Sequence, residues 1–293
     1  MDFHVQPSTI GTASVAVPGD KSISHRAVML GSIARGTSQI AGFLAGADCL
    51  ATIRAMRAMG VRIDREDTSV QVHGVGMNGL SAPSGSLDLG NSGTAMRLMA
   101  GLLAAQAFDT ELTGDASLSK RPMERIITPL TAMGAVIESD CDGTPPLQIR
   151  GGMRLEAIDY AMPVASAQVK SAILLAALYA DGITKVTEPA VTRDHTERML
   201  AALGADLRVE ADRISMAGGQ RLAAADLQVP GDLSSAAFLM LAATIADDAD
   251  VLIPGVGINP TRTGVIDILT AMGADIRLEN QRDYGAEPVA DIR

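Results

Sequence analysis

The residues with the clearest potential for chemistry lie at one predicted helix start. Asp20 is a good helix N-cap and apolar residues recur at helical spacing after it, so a helix is predicted to begin at about Lys21. A helix start carries free backbone N–H groups and a partial positive charge. Ser22 and Arg26 are four residues apart and therefore share one face beside Lys21. Together these groups suit an anion such as phosphate, although a capped surface helix with two solvated cations would carry the same residues.

A second segment and a polar loop also contain groups that suit an anion. Asn91 is a predicted cap, Gly93 would let a ligand approach the backbone closely, and Thr94 and Arg97 follow one turn apart. Arg121 lies in the loop and can bind a carboxylate or phosphate through two parallel hydrogen bonds. A cap with a packing glycine, and a loop whose cations are simply solvated, are the plain structural alternatives.

Two later helix starts complete the candidate set. Ser166 and Gln168 place a hydroxyl and an amide at the start of an apolar helix, although capping alone would explain the serine. Arg193 is a further candidate for an anion. Its neighbours Asp194 and Thr196 are predicted to cap the helix that follows.

The elements that must position these residues repeat about every seventy residues. Four predicted helices end in a glycine that leads into a strand, and the glycines are 74, 70 and 69 residues apart: Gly60, Gly134, Gly204 and Gly273. A polar, alternating stretch with a turn follows each one and predicts a hairpin. In the last copy the second hairpin strand would begin near Glu287, where the sequence stops, so the last unit is predicted to be unfinished and the chain truncated.

A second recurring element lies between these copies. It is a break, a capping residue and an apolar helix, and the predicted caps are Asp20, Asn91, Ser166 and Asp232. The motif Val-Pro-Gly-Asp-x-Ser occurs at both 17–22 and 229–234, and Val15–Val17 is predicted to be a short strand. Each unit is therefore predicted to be βαβαββ. Equivalent units packed about a pseudo-symmetry axis would direct several helix N-termini into one cleft.

Composition excludes several classes of function. The net charge of −10 argues against a general nucleic-acid binder, and no apolar run is long enough to span a membrane. The four histidines show no spacing typical of a metal site, so no metal is expected; His195 is predicted to lie on the surface and His25 to support its helix. Cys49 and Cys141 form no CxxC pair, and no secretory signal precedes the first motif, which favours a cytoplasmic location.

Taken together, the motifs resemble the 5-enolpyruvylshikimate-3-phosphate synthases of the shikimate pathway. The resemblance runs in order along the whole chain and rests on five segments: Gly19-Asp-Lys-Ser-Ile-Ser-His-Arg26, Leu89-Gly-Asn-Ser-Gly-Thr-Ala-Met-Arg97, Ser119-Lys-Arg-Pro-Met123, Ser166-Ala-Gln168 and Arg193-Asp-His-Thr-Glu197. It implies an α/β fold with two domains, each an inside-out α/β barrel of three βαβαββ units, of which this sequence supplies four of six. By that layout, residues 19–229 form a complete domain, and residues 1–18 and 230–293 belong to an incomplete second one.

The resemblance also implies an activity and its substrates. Family members transfer the enolpyruvyl group of phosphoenolpyruvate to the 5-hydroxyl of shikimate 3-phosphate, through a tetrahedral intermediate that releases phosphate, with no metal or other cofactor. Motif matches assign a set of residues to shikimate 3-phosphate: Lys21, Ser22, Arg26, Ser166, Ala167, Gln168 and, less strongly, Arg193. A second set is assigned to phosphoenolpyruvate: Lys21, Gly93, Arg121 and Gln168. Lys21 lies between both substrates and is expected to assist proton transfer.

The sequence departs from the family pattern in two ways. Ala167 stands where many members have Ser, and Leu98 where many have Pro, which fits the second, more divergent class of the family. In addition, the principal catalytic carboxylates and several cations lie beyond position 293 in the family, so this chain alone is expected to bind shikimate 3-phosphate weakly and to turn over nothing. We expect a monomer with small-molecule substrates and no nucleic-acid or membrane partner.

Two alternatives remain open at the level of sequence. UDP-N-acetylglucosamine enolpyruvyl transferase has the same fold, but would show Lys-Asn-Ala where this chain has Lys21-Ser22-Ile23. A non-catalytic phosphate-binding paralogue is the other alternative, and the intact set of Lys21, Arg26, Arg121 and Gln168 argues against it.

Overall fold

The computed structural model describes residue 4 and residues 9–293. The chain divides into a larger unit, Lys21–Leu227, and a smaller unit formed by the described residues up to Asp20 together with Gln228–Arg293. The predicted domain boundaries are 18/19 and 229/230. Whether the two observed units correspond to domains of a full-length protein stays a prediction. Residues 1–3 and 5–8 of the predicted second domain lie outside the described part.

Helices and strands alternate in the predicted order. The helices are Lys21–Ile33 (α1), Ala47–Ala58 (α2), Gly93–Leu103 (α3), Glu124–Ala132 (α4), Ala167–Ala177 (α5), His195–Ala202 (α6), Leu233–Ile245 (α7) and Gly264–Ala271 (α8). The strands are Thr12–Ser14 (β1), Arg35–Ala41 (β2), Arg62–Glu66 (β3), Ser69–Val75 (β4), Leu87–Asp88 (β5), Thr110–Thr113 (β6), Ile137–Asp140 (β7), Thr144–Ile149 (β8), Asp159–Ala161 (β9), Ile183–Thr187 (β10), Leu207–Glu210 (β11), Arg213–Ala217 (β12), Leu227–Gln228 (β13), Asp250–Gly257 (β14), Leu278–Tyr284 (β15) and Glu287–Ile292 (β16).

The sheets confirm the predicted repeat. The described residues form four four-stranded sheets, in the orders β13-β2-β4-β3, β5-β6-β8-β7, β9-β10-β12-β11 and β1-β14-β16-β15. In each sheet the last three strands come from one repeat, with its hairpin antiparallel to its first long strand. Parallel pairing joins β5 to β6, β9 to β10 and β1 to β14. The four units therefore share one topology.

The larger unit is built around three helices that are buried nearly all round. Every residue of α1 after Ser22 is buried, α3 is buried except at Thr94 and Arg97, and α5 is buried except at Gln168. Such helices need apolar residues on all faces, which explains the Ala-, Leu- and Met-rich composition. A Cβ added at Gly101 would lie 2.1 Å from the carbonyl oxygen of Ala172, so glycine allows α3 to pack directly against α5.

The local predictions were partly correct. Helix α1 begins at Lys21, as predicted, and the four helix-ending glycines have positive φ values of 88, 99, 91 and 101°. Ser166 and Asp232 cap α5 and α7 with their side chains. The predicted strand at Val15–Val17 is wrong, because the strand lies at Thr12–Ser14, where three residues pair in parallel with β14.

In the smaller unit the two Val-Pro-Gly-Asp copies bond to each other. The amide of Asp20 donates to the carbonyl of Pro230 at 2.8 Å, and the amide of Asp232 donates to the carbonyl of Pro18 at 2.9 Å. Each copy thus bonds to the equivalent proline of the other. The second hairpin strand of the last unit begins at Glu287, as predicted, and this strand, β16, pairs with both β14 and β15. Helices α7 and α8 and the residue that follows α8 expose several large apolar side chains: Phe238, Leu241, Ile245, Ile268 and Met272.

Candidate functional site

The three buried helices of the larger unit, α1, α3 and α5, are exposed only at or just after their first turns. The residues of these helices that are not buried are Lys21, Ser22, Thr94, Arg97 and Gln168. All five lie in the first turns of their helices or one residue beyond. Because each first turn also carries free N–H groups, the polar side chains add to three positive helix ends.

An arginine cluster joins α3, α5 and the loop before α4. We give this name to Gly93, Thr94, Arg97, Arg121 and Gln168. Arg97 donates from Nη1 to Oε1 of Gln168 at 2.8 Å, and Gln168 donates from Nε2 to the hydroxyl of Thr94 at 3.0 Å. A Cβ added at Gly93 would lie 3.0 Å from Nη1 of Arg121 and 3.2 Å from Nη1 of Arg97. The two guanidinium groups therefore converge over a backbone that has no side chain.

The electrostatics of this cluster favour an anion. Arg97 is half-buried, and its burial, with the nearby positive charges of Arg121 and Arg125, lowers the pKa of Arg97 from its ordinary value. Arg121 donates to the neutral amide oxygen of Asn91. The carboxylate of Asp115 accepts bonds from that amide at 2.8 and 3.0 Å, and the charge of Arg121 contributes to lowering the pKa of Asp115. An anion beside Arg97 would relieve the repulsion between the like charges.

A second group, the Ser22 cluster, comprises Lys21, Ser22, Arg26 and Arg193. Arg193 donates from Nη1 to the hydroxyl of Ser22 at 3.2 Å, although the two residues are 171 positions apart. Lys21 forms an ion pair with Asp48 of α2, in which both side chains keep some exposure. The start of α1 thus carries a lysine and a hydroxyl, and the hydroxyl accepts a hydrogen bond from an arginine of a distant segment.

Arg26 has a different environment from the other cations. Its residue is 4% exposed, and its guanidinium donates to the hydroxyl of Thr196 at 2.6 Å and to the hydroxyl of Ser171 at 2.7 Å. It also donates to the carbonyl of Ser22 at 2.9 Å. Arg26 therefore ties α1 to α5 and α6, and its predicted contact with a ligand stays a prediction.

Helix α5 links the two clusters. Gln168 belongs to the arginine cluster, and Ser171, three residues later, bonds to Arg26 of the Ser22 cluster. Residues three apart on a helix are neighbours, so the two clusters are adjacent. Ser166 is half-buried and caps the helix by accepting from the amide of Val169 at 3.4 Å, while Ala167 is buried. The structure thus brings Gln168 most directly into the site.

Several local predictions at these helix starts are wrong. Ser92, not Asn91, caps α3, and its hydroxyl accepts from the amide of Ala95 at 3.1 Å. Asp194 stands at the N-cap of α6 but makes no capping bond; its carboxylate accepts from Arg198 at 2.8 Å. Thr196, a predicted cap, is buried and accepts a hydrogen bond from Arg26. His195, which was predicted to lie on the surface, is only 2% exposed.

Sequence reasoning also missed supporting residues. Asp48 pairs with Lys21, and Thr52 bonds to Nδ1 of His25 at 2.7 Å. Both lie on one face of α2, four residues apart, and this spacing was the available signal. His25 is fully buried between α2 and α3, with Ser92 at 3.4 Å, which confirms that it supports its helix.

The assembled groups are of the kinds that bind an anion. Within the part of the chain that the structure describes, no three His, Cys, Asp or Glu side chains gather closely enough to hold a metal ion. No helix in residues 9–293 is long and apolar enough to cross a membrane. The clusters instead offer guanidinium, ammonium, hydroxyl and amide groups, which bind phosphates and carboxylates.

These features define an α/β protein of tandem βαβαββ units that gathers cations at helix N-termini, the class of the enolpyruvyl transferase fold. The sequence profile of the family EPSP synthase (3-phosphoshikimate 1-carboxyvinyltransferase) matches residues 5–292. The chain belongs to this family.

Curated relatives and solved structures agree with this assignment. The chain is 62% identical over its whole length to the 3-phosphoshikimate 1-carboxyvinyltransferase of Alkalilimnicola ehrlichii, and 60% identical over 99% of its length to that of Methylococcus capsulatus. It spans 66% and 67% of those two proteins. A solved EPSP synthase from Acinetobacter baumannii superimposes with a TM-score of 0.92 at 56% identity, over 98% of this chain and 66% of that one.

Proposed function

We propose that the protein containing this chain transfers the enolpyruvyl group of phosphoenolpyruvate to the 5-hydroxyl of shikimate 3-phosphate and releases phosphate. The observation that supports this proposal most directly is the meeting of the arginine cluster and the Ser22 cluster along α5. Both substrates carry phosphate and carboxylate groups, so two adjacent cationic clusters match their charges. Family membership and the names of the relatives support the same reaction.

The Ser22 cluster is proposed to hold shikimate 3-phosphate. Ser22 and Arg193 already share a hydrogen bond at 3.2 Å, so one phosphate oxygen can bind both. Arg26 and Ser166 complete the set, with Ala167 lining it and Gln168 at its border with the arginine cluster. The first turn of α1 adds backbone N–H groups to this site.

The arginine cluster is proposed to hold phosphoenolpyruvate. Arg121 can bind the phosphate or the carboxylate, the missing side chain at Gly93 leaves room beside it, and Gln168 fixes Arg97 at 2.8 Å. Lys21 is proposed to contact both substrates and to assist proton transfer. Cations placed before the reaction stabilise the charge that develops when phosphate leaves the tetrahedral intermediate.

The chain itself is proposed to bind shikimate 3-phosphate without turnover. The curated relatives are about half as long again, and the family resemblance implies that the main acid and base residues lie beyond position 293. We also propose that the protein acts as a monomer in the cytoplasm without a cofactor. All the assigned ligand residues lie on one chain, and neither Cys49 nor Cys141 is in a disulfide, which is usual in a reducing compartment.

Ligand-induced stabilisation tests the proposal. Shikimate 3-phosphate is expected to raise the melting temperature of the chain in a concentration-dependent way, whereas UDP-N-acetylglucosamine is not. The variant Arg193→Ala should show a clearly smaller shift at the same ligand concentration, and Arg154→Ala, which removes an exposed cation of the same unit, should keep the full shift. Equal shifts with both ligands, or normal phosphate release by the chain with both substrates, would contradict the proposal.

A further inference from the structure

A buried charge network joins α5 to the start of α6. The ammonium of Lys170, on α5, contacts the carboxylate of Glu188 at 2.7 Å and the carboxylate of Glu197 at 2.6 Å. The three side chains are 1%, 3% and 5% exposed. One cation and two carboxylates are therefore removed from water together.

This network is not well explained by stability alone. Taking charges out of water is costly, and apolar side chains of similar size often stabilise a fold equally well or better. The second oxygen of Glu197, Oε2, is buried without a hydrogen-bond partner among the described residues, and burial raises the pKa of this carboxyl. We therefore expect this arrangement to hold neighbouring residues in place.

The network holds both ends of the segment that carries Arg193. At the first end, Glu188 accepts a hydrogen bond from the hydroxyl of Thr192, the residue before Arg193. At the other end, Glu197 lies in the first turn of α6. Lys170 binds both carboxylates, so it closes the segment 188–197 into a loop on one ammonium group.

Neighbouring hydrogen bonds join this loop to α1. Ser171, next to Lys170 on α5, bonds to Thr196 at 2.7 Å, and Thr196 bonds to Arg26 at 2.6 Å. Arg193, near the middle of the loop, reaches the hydroxyl of Ser22 at 3.2 Å. The start of α6 is thereby held at a defined distance from the start of α1.

We propose that Lys170 is a positioning residue, which sets the place of Arg193 in the shikimate 3-phosphate site by holding Glu188 and Glu197 together. This inference rests on the proposed function for its ligand. Lys170 itself is too deeply buried to touch a ligand, so its effect must pass through the loop. Removing Lys170 should therefore weaken the binding of shikimate 3-phosphate when Arg193 is present, and should have little effect when Arg193 has already been removed.

A double-mutant cycle tests this dependence. Lys170→Met should raise the Kd for shikimate 3-phosphate about tenfold, but less than about twofold when Arg193→Ala is already present. The matched control is Arg154→Met, which breaks the exposed ion pair with Asp181 in the same unit and should leave the Kd unchanged. An equal rise in Kd in both backgrounds would show that Lys170 acts only on general stability, and would overturn the proposal.

Two additions keep the test decisive. Lys170→Met leaves two buried carboxylates, so the variant Lys170→Met/Glu188→Gln/Glu197→Gln, which removes every charge of the network, replaces it in the cycle if the single variant does not fold. Hydrogen exchange gives a readout without ligand: backbone amides of residues 189–197 should exchange about tenfold faster in the Lys170 variant, with the strands of the same unit unchanged. If the unaltered chain does not bind shikimate 3-phosphate, the proposed function fails, while unchanged or uniformly faster exchange overturns the role of Lys170.

Discussion

Arg97 donates a hydrogen bond to Gln168 across 2.8 Å, and this bond joins the first turn of α3 to the first turn of α5. The other end of the same amide donates to Thr94 on α3. Both ends of the Gln168 side chain are thus used by one helix, which fixes the orientation of the amide. The bond also holds Arg97 close to Arg121, against the repulsion of their charges.

Gly93→Ala should weaken phosphoenolpyruvate binding with little effect on folding. The new Cβ would lie 3.0 Å from Nη1 of Arg121 and 3.2 Å from Nη1 of Arg97. Both atoms are ends of flexible side chains, so the arginines move and the helix does not. We expect the Kd for phosphoenolpyruvate, measured by calorimetry on the chain saturated with shikimate 3-phosphate, to rise about tenfold, the size of one charged hydrogen bond.

The control for this substitution is Gly85→Ala, whose Cβ would meet nothing within 4 Å. It should bind phosphoenolpyruvate like the unaltered chain. The free energy of unfolding of Gly93→Ala should stay within about 1 kcal/mol of the unaltered value, because alanine is the better helix former. Unchanged affinity in Gly93→Ala would show that the arginine ends do not contact the ligand.

Lys21→Met should separate binding from stability. Lys21 pairs with Asp48, but the two side chains are 45% and 22% exposed, so the ion pair is screened by water. The loss should cost about 0–1 kcal/mol in the free energy of unfolding. The Kd for shikimate 3-phosphate should rise at least about tenfold, because the proposed site would lose one charged hydrogen bond between the ammonium and the ligand.

Lys185→Met is the matched control, since it removes a half-buried lysine of β10 in the same unit. Its Kd for shikimate 3-phosphate should equal that of the unaltered chain. If Lys21→Met and Lys185→Met bind equally well, Lys21 has no part in the site.

The sequence predicted the repeat, the helix start at Lys21 and the helix-ending glycines, because each depends on local patterns such as apolar spacing and backbone conformation. It could not predict which neighbour supplies a cap when two suitable residues are adjacent, as with Asn91 and Ser92. It also misjudged His195, because burial of a residue on a short helix is decided by elements distant in sequence. The pairing of Lys170 with Glu188 and Glu197 was invisible for the same reason.

Ser92→Ala and Asn91→Ala should differ in their effect on stability. The hydroxyl of Ser92 caps α3, is fully buried and also lies 3.4 Å from Nε2 of His25. Its loss should cost about 1 kcal/mol in the free energy of unfolding, measured by urea denaturation. Asn91 is exposed and caps nothing, so Asn91→Ala should cost about 0.5 kcal/mol or less. The reverse order would contradict the assignment of the cap.

Glu197 should give the chain a pH-dependent stability that Glu197→Gln removes. Burial raises the pKa of Glu197 above its ordinary value of 4.5, with a smaller contribution from Asp194, although the charge of Lys170 acts in the opposite direction. The folded chain therefore keeps this proton to a higher pH than the unfolded chain does. The stabilisation from this proton is complete below pH 4.5 and is lost as the pH rises through the folded-state pKa.

Urea denaturation from pH 4 to pH 8 measures this effect. The free energy of unfolding of the unaltered chain, minus that of Glu197→Gln, should fall as the pH rises above 4.5, the ordinary value that the folded-state pKa exceeds. The exposed substitution Glu138→Gln controls for the change from carboxyl to amide, and its curve should run parallel to that of the unaltered chain. A parallel curve for Glu197→Gln as well would mean that Lys170 offsets the burial of Glu197 completely, and that the folded and unfolded chains hold its proton equally.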